Sequence, residues 1–191
     1  PNKPAPHYNL GKFYHEKELV DMAMEHYQIA INLDTNYPEA YNNIGAIYFK
    51  KGLVDEAIEY YQIALNLEPN NVMDYYNLGL AYYDKGLVDK AIEYYQIVLK
   101  FKPDYMEAYN NLGNAYYQKG LIAKALEHYN IAIKLKPDSP NMYFNLGSIY
   151  YNEGLIDKAI ENYQIALRLK PDFHEAQDNL SKIIKESTAL H

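Results

Sequence analysis

The tripeptide Asn-Leu-Gly, or a near variant of it, returns every 34 residues: it starts at Asn9, Asn43, Asn77, Asn111 and Asn145, and closes as Asn179-Leu180-Ser181. A fixed period without insertions argues against one central core, because each repeat must bury its apolar face against its neighbours. The phase predicts five units, 4–37, 38–71, 72–105, 106–139 and 140–173, followed by a closing helix over 174–188. Polar residues on the open faces of that helix, Gln177, Asp178, Lys182 and Lys185, suit an element that covers the final pair.

Each unit reads as two helices. In 38–71 the first helix is expected over about 39–51, where Gly52 supplies a left-handed stop that Gly86, Gly120 and Gly154 repeat. Asp55, like Asp89 and Asp157, stands where a side chain can cap the second helix. That helix carries Ala57, Ile58, Tyr61, Ala64 and Leu65 at core spacing and ends at Pro69, with Pro103, Pro137 and Pro171 as counterparts. Gly45, Gly79, Gly113 and Gly147, paired with Ala57, Ala91, Ala125 and Ala159, predict close approach of the two helix backbones. The first unit departs from the pattern, with Glu18 in place of the capping Gly and Thr35 in place of Pro.

Leu78, Gly79, Tyr82, Ala91, Tyr95 and Pro103 carry a pattern that resembles the tetratricopeptide repeat, and the likeness extends over essentially the whole chain. The resemblance implies an all-α fold, a right-handed superhelical α-solenoid of helix-turn-helix repeats plus a C-terminal capping helix. It also implies that the first helix of each unit lines a concave groove, and that the protein's work is to hold another protein or peptide.

In that family the groove wall comes from fixed places on the first helix. The sixth is Asn throughout: Asn9, Asn43, Asn77, Asn111, Asn145 and Asn179. A carboxamide both donates and accepts, so a ladder of them could clamp successive backbone amides of an extended peptide whatever its side chains. The fifth place alternates aromatic and amide, as Tyr8, Asn42, Tyr76, Asn110 and Phe144, and the twelfth is His15, Phe49, Tyr83, Tyr117 and Tyr151. Tyr76, Tyr83, Asn110, Tyr117, Phe144 and Tyr151 are therefore candidate peptide contacts beside the Asn row. From 72 to 173 the only charges at the mapped places are Asp84 and Glu107, so the groove is expected to be nearly neutral. The Asn ladder further resembles the substrate-recruiting arm of O-linked N-acetylglucosamine transferases.

A second surface competes with the groove. Ile29, Ile63, Ile97, Ile131 and Ile165 share one phase of the second helices, with His26, Tyr60, Tyr94, His128 and Asn162 three residues earlier. They form a candidate convex interface for weak self-association, and polymerisation through repeat surfaces is the alternative to a peptide-binding scaffold.

Other functions lack the residues they need. Eighteen basic against 25 acidic residues give a net charge of −7, which disfavours nucleic acid, and no basic cluster stands out. Cysteine is absent, and the histidines at 7, 15, 26, 128, 174 and 191 form no metal-chelating pair and no catalytic triad, so neither metal, cofactor nor enzymatic activity is expected. His26 and His128 read as surface residues. The basic clamp for chaperone tails ending in Glu-Glu-Val-Asp fails too: its places hold Tyr8, Lys12, Asn43, Met73 and Asn77, of which only Asn43 fits. No apolar run approaches the roughly 18 residues of a membrane span, so no membrane insertion is expected. The start at Pro1 suggests a piece of a longer chain, with the cytoplasm as default location.

Overall fold

The computed structural model describes residues 3–189 and divides them into two compact units that meet at Pro103 and Asp104. The first unit holds α1 (Pro4–Glu16), α2 (Val20–Leu33), α3 (Pro38–Lys50), α4 (Val54–Leu67), α5 (Val72–Asp84) and α6 (Val88–Phe101). The second holds α7 (Met106–Gln118), α8 (Ile122–Leu135), α9 (Pro140–Asn152), α10 (Ile156–Leu169) and α11 (His174–Ala189). Among the described residues the regular structure is helical throughout, a helical-repeat array of the solenoid kind in which odd and even helices pair in sequence.

Local chemistry sets the helix ends. Pro4, Pro38 and Pro140 open α1, α3 and α9, where a missing N–H costs nothing. Gly52 stops α3 at φ +76°, its N–H bonded to the Phe49 carbonyl at 2.9 Å while the Leu53 N–H reaches back to Tyr48 at 3.0 Å. Gly86, Gly120 and Gly154 repeat the turn, and Glu18 forces it without the glycine, at φ +59°.

One expectation is corrected and another refined. Asp55 does not cap α4: the helix begins at Val54, and its preceding residue Leu53 makes no side-chain capping bond. Asp55 instead lies in the first turn, where a negative charge suits the helix dipole, and accepts from Lys85 Nζ. A shift of one residue in the same direction places α3 over Pro38–Lys50 instead of 39–51. The refinement concerns the small residues. Gly45, Gly79, Gly113 and Gly147 face the rings of Tyr61, Tyr95, Tyr129 and Tyr163, and a Cβ on Gly45 would also lie 3.3 Å from the Ala57 carbonyl oxygen, the close backbone approach expected; a Cβ on Gly79 would lie 2.5 and 2.7 Å from two Tyr95 ring carbons. The missing side chain makes room for an aromatic ring.

These tyrosines are the large members of the core. Tyr27, Tyr95 and Tyr163 are fully buried, beside Ala23 and Ala30, Ala91 and Val98, and Ala159 and Ala166 respectively on their own helices. Their hydroxyls must then find partners inside the protein. Tyr129 donates to Asn114 Oδ1 and Tyr163 to Ser148 Oγ at 3.2 Å, but the buried hydroxyl of Tyr95 has no partner. At the place of Asn114 and Ser148, α5 carries Leu80, which has nothing to offer. Burial pushes the Tyr27 phenol up to about 12 and raises Tyr61 and Tyr95 further.

Tyr95→Phe should be neutral or stabilising by up to about 1 kcal/mol, because it removes a desolvated hydroxyl that bonds to nothing. Tyr163→Phe should cost about 1 kcal/mol, since it strips Ser148 and Asn179 of a shared partner. Urea denaturation of the two variants reads the sign directly.

Candidate functional site

In the first unit the Asn row is partly engaged. Asn43 Nδ2 on α3 donates to the hydroxyl of Tyr8 on α1 at 3.3 Å, and Asn77 Nδ2 on α5 donates to Asn42 Oδ1 on α3 at 3.4 Å. Each sixth-place Asn thus hands a donor to the fifth-place residue of the preceding repeat. Among the described residues the Oδ1 atoms of Asn43 and Asn77 have no partner. Asn9 is exposed on α1. Asn43 lies between two recesses, one of about 290 Å3 lined by Lys12, His15, Glu16 and Tyr27, the other of about 170 Å3 lined by Tyr8, Glu39, Asn42, Asn71 and Met73.

The second unit repeats the linkage once and then departs from it. Asn145 Nδ2 donates to Asn110 Oδ1 at 3.5 Å, whereas Asn110 Nδ2 turns to its chain neighbour Asn111 Oδ1 at 3.4 Å. Asn179 donates inward to the Tyr163 hydroxyl at 3.2 Å, so it serves the core of its own unit. The structure therefore places Asn43, Asn77, Asn111 and Asn145 half-buried in equivalent positions, with Asn9 more exposed and Asn179 differently engaged.

The aromatic candidates split by place. Fifth-place rings pack on the core tyrosine of their own pair: Tyr8 on Tyr27 at 5.8 Å between centroids, Tyr76 on Tyr95 at 6.1 Å, Phe144 on Tyr163 at 5.8 Å. The twelfth-place tyrosines are half-buried, and two of them, Tyr117 and Tyr151, are tied to the following odd-numbered helix. Tyr117 accepts from Asn152 Nδ2 at 2.5 Å and Tyr151 donates to Glu186 Oε2 at 2.9 Å, while burial raises the Tyr83 phenol.

Of the apolar candidates on the second helices, Ile63 is exposed, and Ile29, Ile97, Ile131 and Ile165 are half-buried. The side chains beside them are occupied within their own pairs. Tyr60 lies 5.3 Å from Tyr48 and Tyr94 stacks on Tyr82 at 5.3 Å, while buried Asn162 donates to the Lys158 carbonyl at 2.8 Å. His26 and His128, expected on the surface, are half-buried in the corresponding stacks. His26 shares a hydrogen bond with His7, Nδ1 to Nδ1 at 3.1 Å, and His128 Nδ1 meets the Lys124 carbonyl at 2.8 Å. His191 lies outside the described residues. Among the described residues no group of three His, Asp or Glu side chains gathers as a metal site would require. No described helix is long and apolar enough to cross a membrane.

One functional-looking residue escaped the reading of the sequence. Asp74, fully buried on α5, accepts from Asn42 Nδ2 with Oδ1 and leaves Oδ2 without a partner. Burial pushes its carboxyl up from 3.8 to about 6, with Glu68 and Glu39 acting in the same direction and the Asn42 bond opposing them. The signal was present in the repeat itself: the other repeats and α11 hold Pro6, Ala40, Ala108, Met142 and Ala176 at this place.

Family models described as "TPR repeat" match residues 20–52, 81–120 and 113–154, and "Tetratricopeptide repeat" matches 38–71 and 140–173. No curated protein matches the sequence. Among solved structures the fold is similar to MamA, at 28% identity and a TM-score of 0.76, over 87% of this chain and 97% of that one. It is also similar to YrrB, described as a TPR protein with an unusual peptide-binding site, at 22% identity and a TM-score of 0.75 over 93% and 92%. A MamA fragment from Desulfovibrio magneticus RS-1 gives 20% identity and a TM-score of 0.82 over 91% and 98%. With more than half of its length matched and its paired helices built around a glycine facing a buried tyrosine, the chain belongs to the tetratricopeptide-repeat family.

Proposed function

We propose that this protein is a non-catalytic interaction scaffold that holds an extended or disordered polypeptide segment against its first helices, using the Asn row as a clamp. One observation carries the reading: Asn43, Asn77 and Asn145 each spend a donor on the preceding repeat and keep a carbonyl oxygen with no partner among the described residues. Fixed amides at repeat spacing suit the N–H groups of an extended chain, which recur regularly and carry no side-chain information. Each bond adds about 0.5–1.5 kcal/mol net, and ordering the segment offsets much of it, so affinity near micromolar is expected. Membership of a family that binds proteins agrees with this role. YrrB's described peptide-binding site indicates that the shared fold can serve it.

Recruitment of substrates to a protein glycosyltransferase is a narrower form of the same proposal, resting on the Asn row alone. Polymerisation through the second helices has less support, because only Ile63 of its five isoleucines is exposed.

The test replaces Asn43, Asn77 and Asn145 together with Ala. Binding to a neutral extended peptide selected by display on the wild-type chain should weaken at least about tenfold, while the melting temperature moves by only a few degrees, as the inter-repeat bonds lost are long. A sharp fall in melting temperature with binding intact would make the row structural and reject the clamp.

A further inference from the structure

We propose that Asp74 fixes the hydrogen-bonding polarity of the recess lined by α1 and α3 and bordered by the start of α5, making it an acceptor pocket for a Lys or Arg side chain of the bound segment. The inference rests on the reading that this face holds a polypeptide.

The geometry gives the chain of causes. Asp74 Oδ1 takes the Asn42 Nδ2 hydrogen, so the Asn42 carboxamide must present its oxygen to Asn77, and Asn77 Nδ2 donates there at 3.4 Å. The second unit shows what happens without the carboxylate. Met142 occupies the place of Asp74, and Asn110, the counterpart of Asn42, donates to the sixth-place Asn111 instead. Asp74 therefore draws Asn42 away from Asn43 and spares the Asn43 oxygen.

The recess, about 170 Å3, is lined by Tyr8, Glu39, Asn42, Asn43, Asn71 and Met73. All three of its carboxamides direct a donor elsewhere: Asn42 to Asp74, Asn43 to the Tyr8 hydroxyl, and Asn71 to Glu68 Oε2 at 3.0 Å. The acceptors left for a ligand are the Asn43 oxygen and the exposed Glu39 carboxylate, with Asp74 and Glu68 adding negative field. Lys12, whose ammonium lies 5.9 Å from the Tyr8 ring centre, lines the neighbouring recess and not this one. An acceptor-bearing, negatively biased pocket with no Lys or Arg among its described lining residues matches an ammonium or guanidinium, which only donates.

Asp74 also makes the pocket sensitive to pH. The titratable groups turned toward it are Glu39 from α3 and Tyr61 and Glu68 from α4 and its end. Because its carboxyl titrates near about 6, a fall from pH 7.5 to 5 neutralises it. The protonated acid can then donate to the Asn42 oxygen, which frees the amide to reverse and turns the Asn77 donor outward.

The experiment uses the full chain and two fluorescein-labelled, end-capped Gly-Ser nonapeptides that differ only in a central Arg or Gln. At pH 7.5 the Arg peptide should bind about tenfold more tightly by anisotropy, and the ratio should fall below about threefold in Asp74→Ala and in the wild type at pH 5. Ala is native to this place in other repeats, at Ala40 and Ala108, so the variant keeps its fold. Asp74→Asn, which still offers an oxygen to Asn42, should fall between the two. Equal binding of both peptides by the wild type, or a preference unchanged in Asp74→Ala, overturns the inference and leaves the face a peptide clamp. Binding of neither peptide overturns both.

Discussion

Gly79→Val is expected to cost more than about 3 kcal/mol and to lower the urea midpoint accordingly. The helix itself would favour the change by a few tenths of a kcal/mol, since Gly is the poorer helix former. Packing decides the sign. The first added carbon alone would stand 2.5 and 2.7 Å from ring carbons of Tyr95, a side chain with no exposed surface and hence nowhere to swing. A β-branched residue adds two further methyl groups to the same space. The control is Gly86→Ala, where nothing lies within 4 Å of the new Cβ and the only penalty is the backbone at φ +79°. That substitution should cost about 1 kcal/mol. Equal losses at the two sites would show that the Gly79–Tyr95 contact yields and that ring accommodation does not hold the pair together.

The contrast between these glycines also shows how much the sequence reveals. A period of 34 with Gly and Pro punctuation is enough to place the helices to within two residues, because a left-handed stop is a backbone requirement that only a few residues meet. Partnership across the helix pair is less visible. Gly79 and Ala91 are both small, and periodicity cannot say which of them faces the other and which faces a ring 16 residues away. The failed caps have a similar origin. Asp55 is well placed by type for either the cap or the first turn, and the Leu53 backbone settles the register. At the candidate site the Asn row is plain from phase alone, but phase does not reveal that Asn43, Asn77 and Asn145 each donate to the preceding repeat. Asp74 was readable as a charge at a place otherwise held by Pro, Ala or Met, yet its bond to Asn42 joins side chains 32 residues apart that only the folded chain brings together.

Asp74→Ala should stabilise the protein by about 1–2 kcal/mol at pH 7.5 and lose that advantage by about pH 4. Its carboxyl is raised from 3.8 to about 6 in the folded chain, so between these values the folded state binds more protons than the unfolded one. Stability of the wild type consequently falls as pH rises through that window, and the whole penalty is present above it. A displacement of that size corresponds to roughly 3 kcal/mol, from which about 1 kcal/mol is returned when Asn42 loses its acceptor. Below about pH 4 the acid is protonated in both states, the penalty is gone, and only the lost hydrogen bond remains, so the order of the two proteins should invert or close. Urea melts at pH 4, 6 and 7.5 measure this crossing. A wild type that gains stability relative to Asp74→Ala as pH rises would mean that the buried carboxylate is held ionised by its surroundings, and that Asn42 supplies more than one hydrogen bond's worth of compensation.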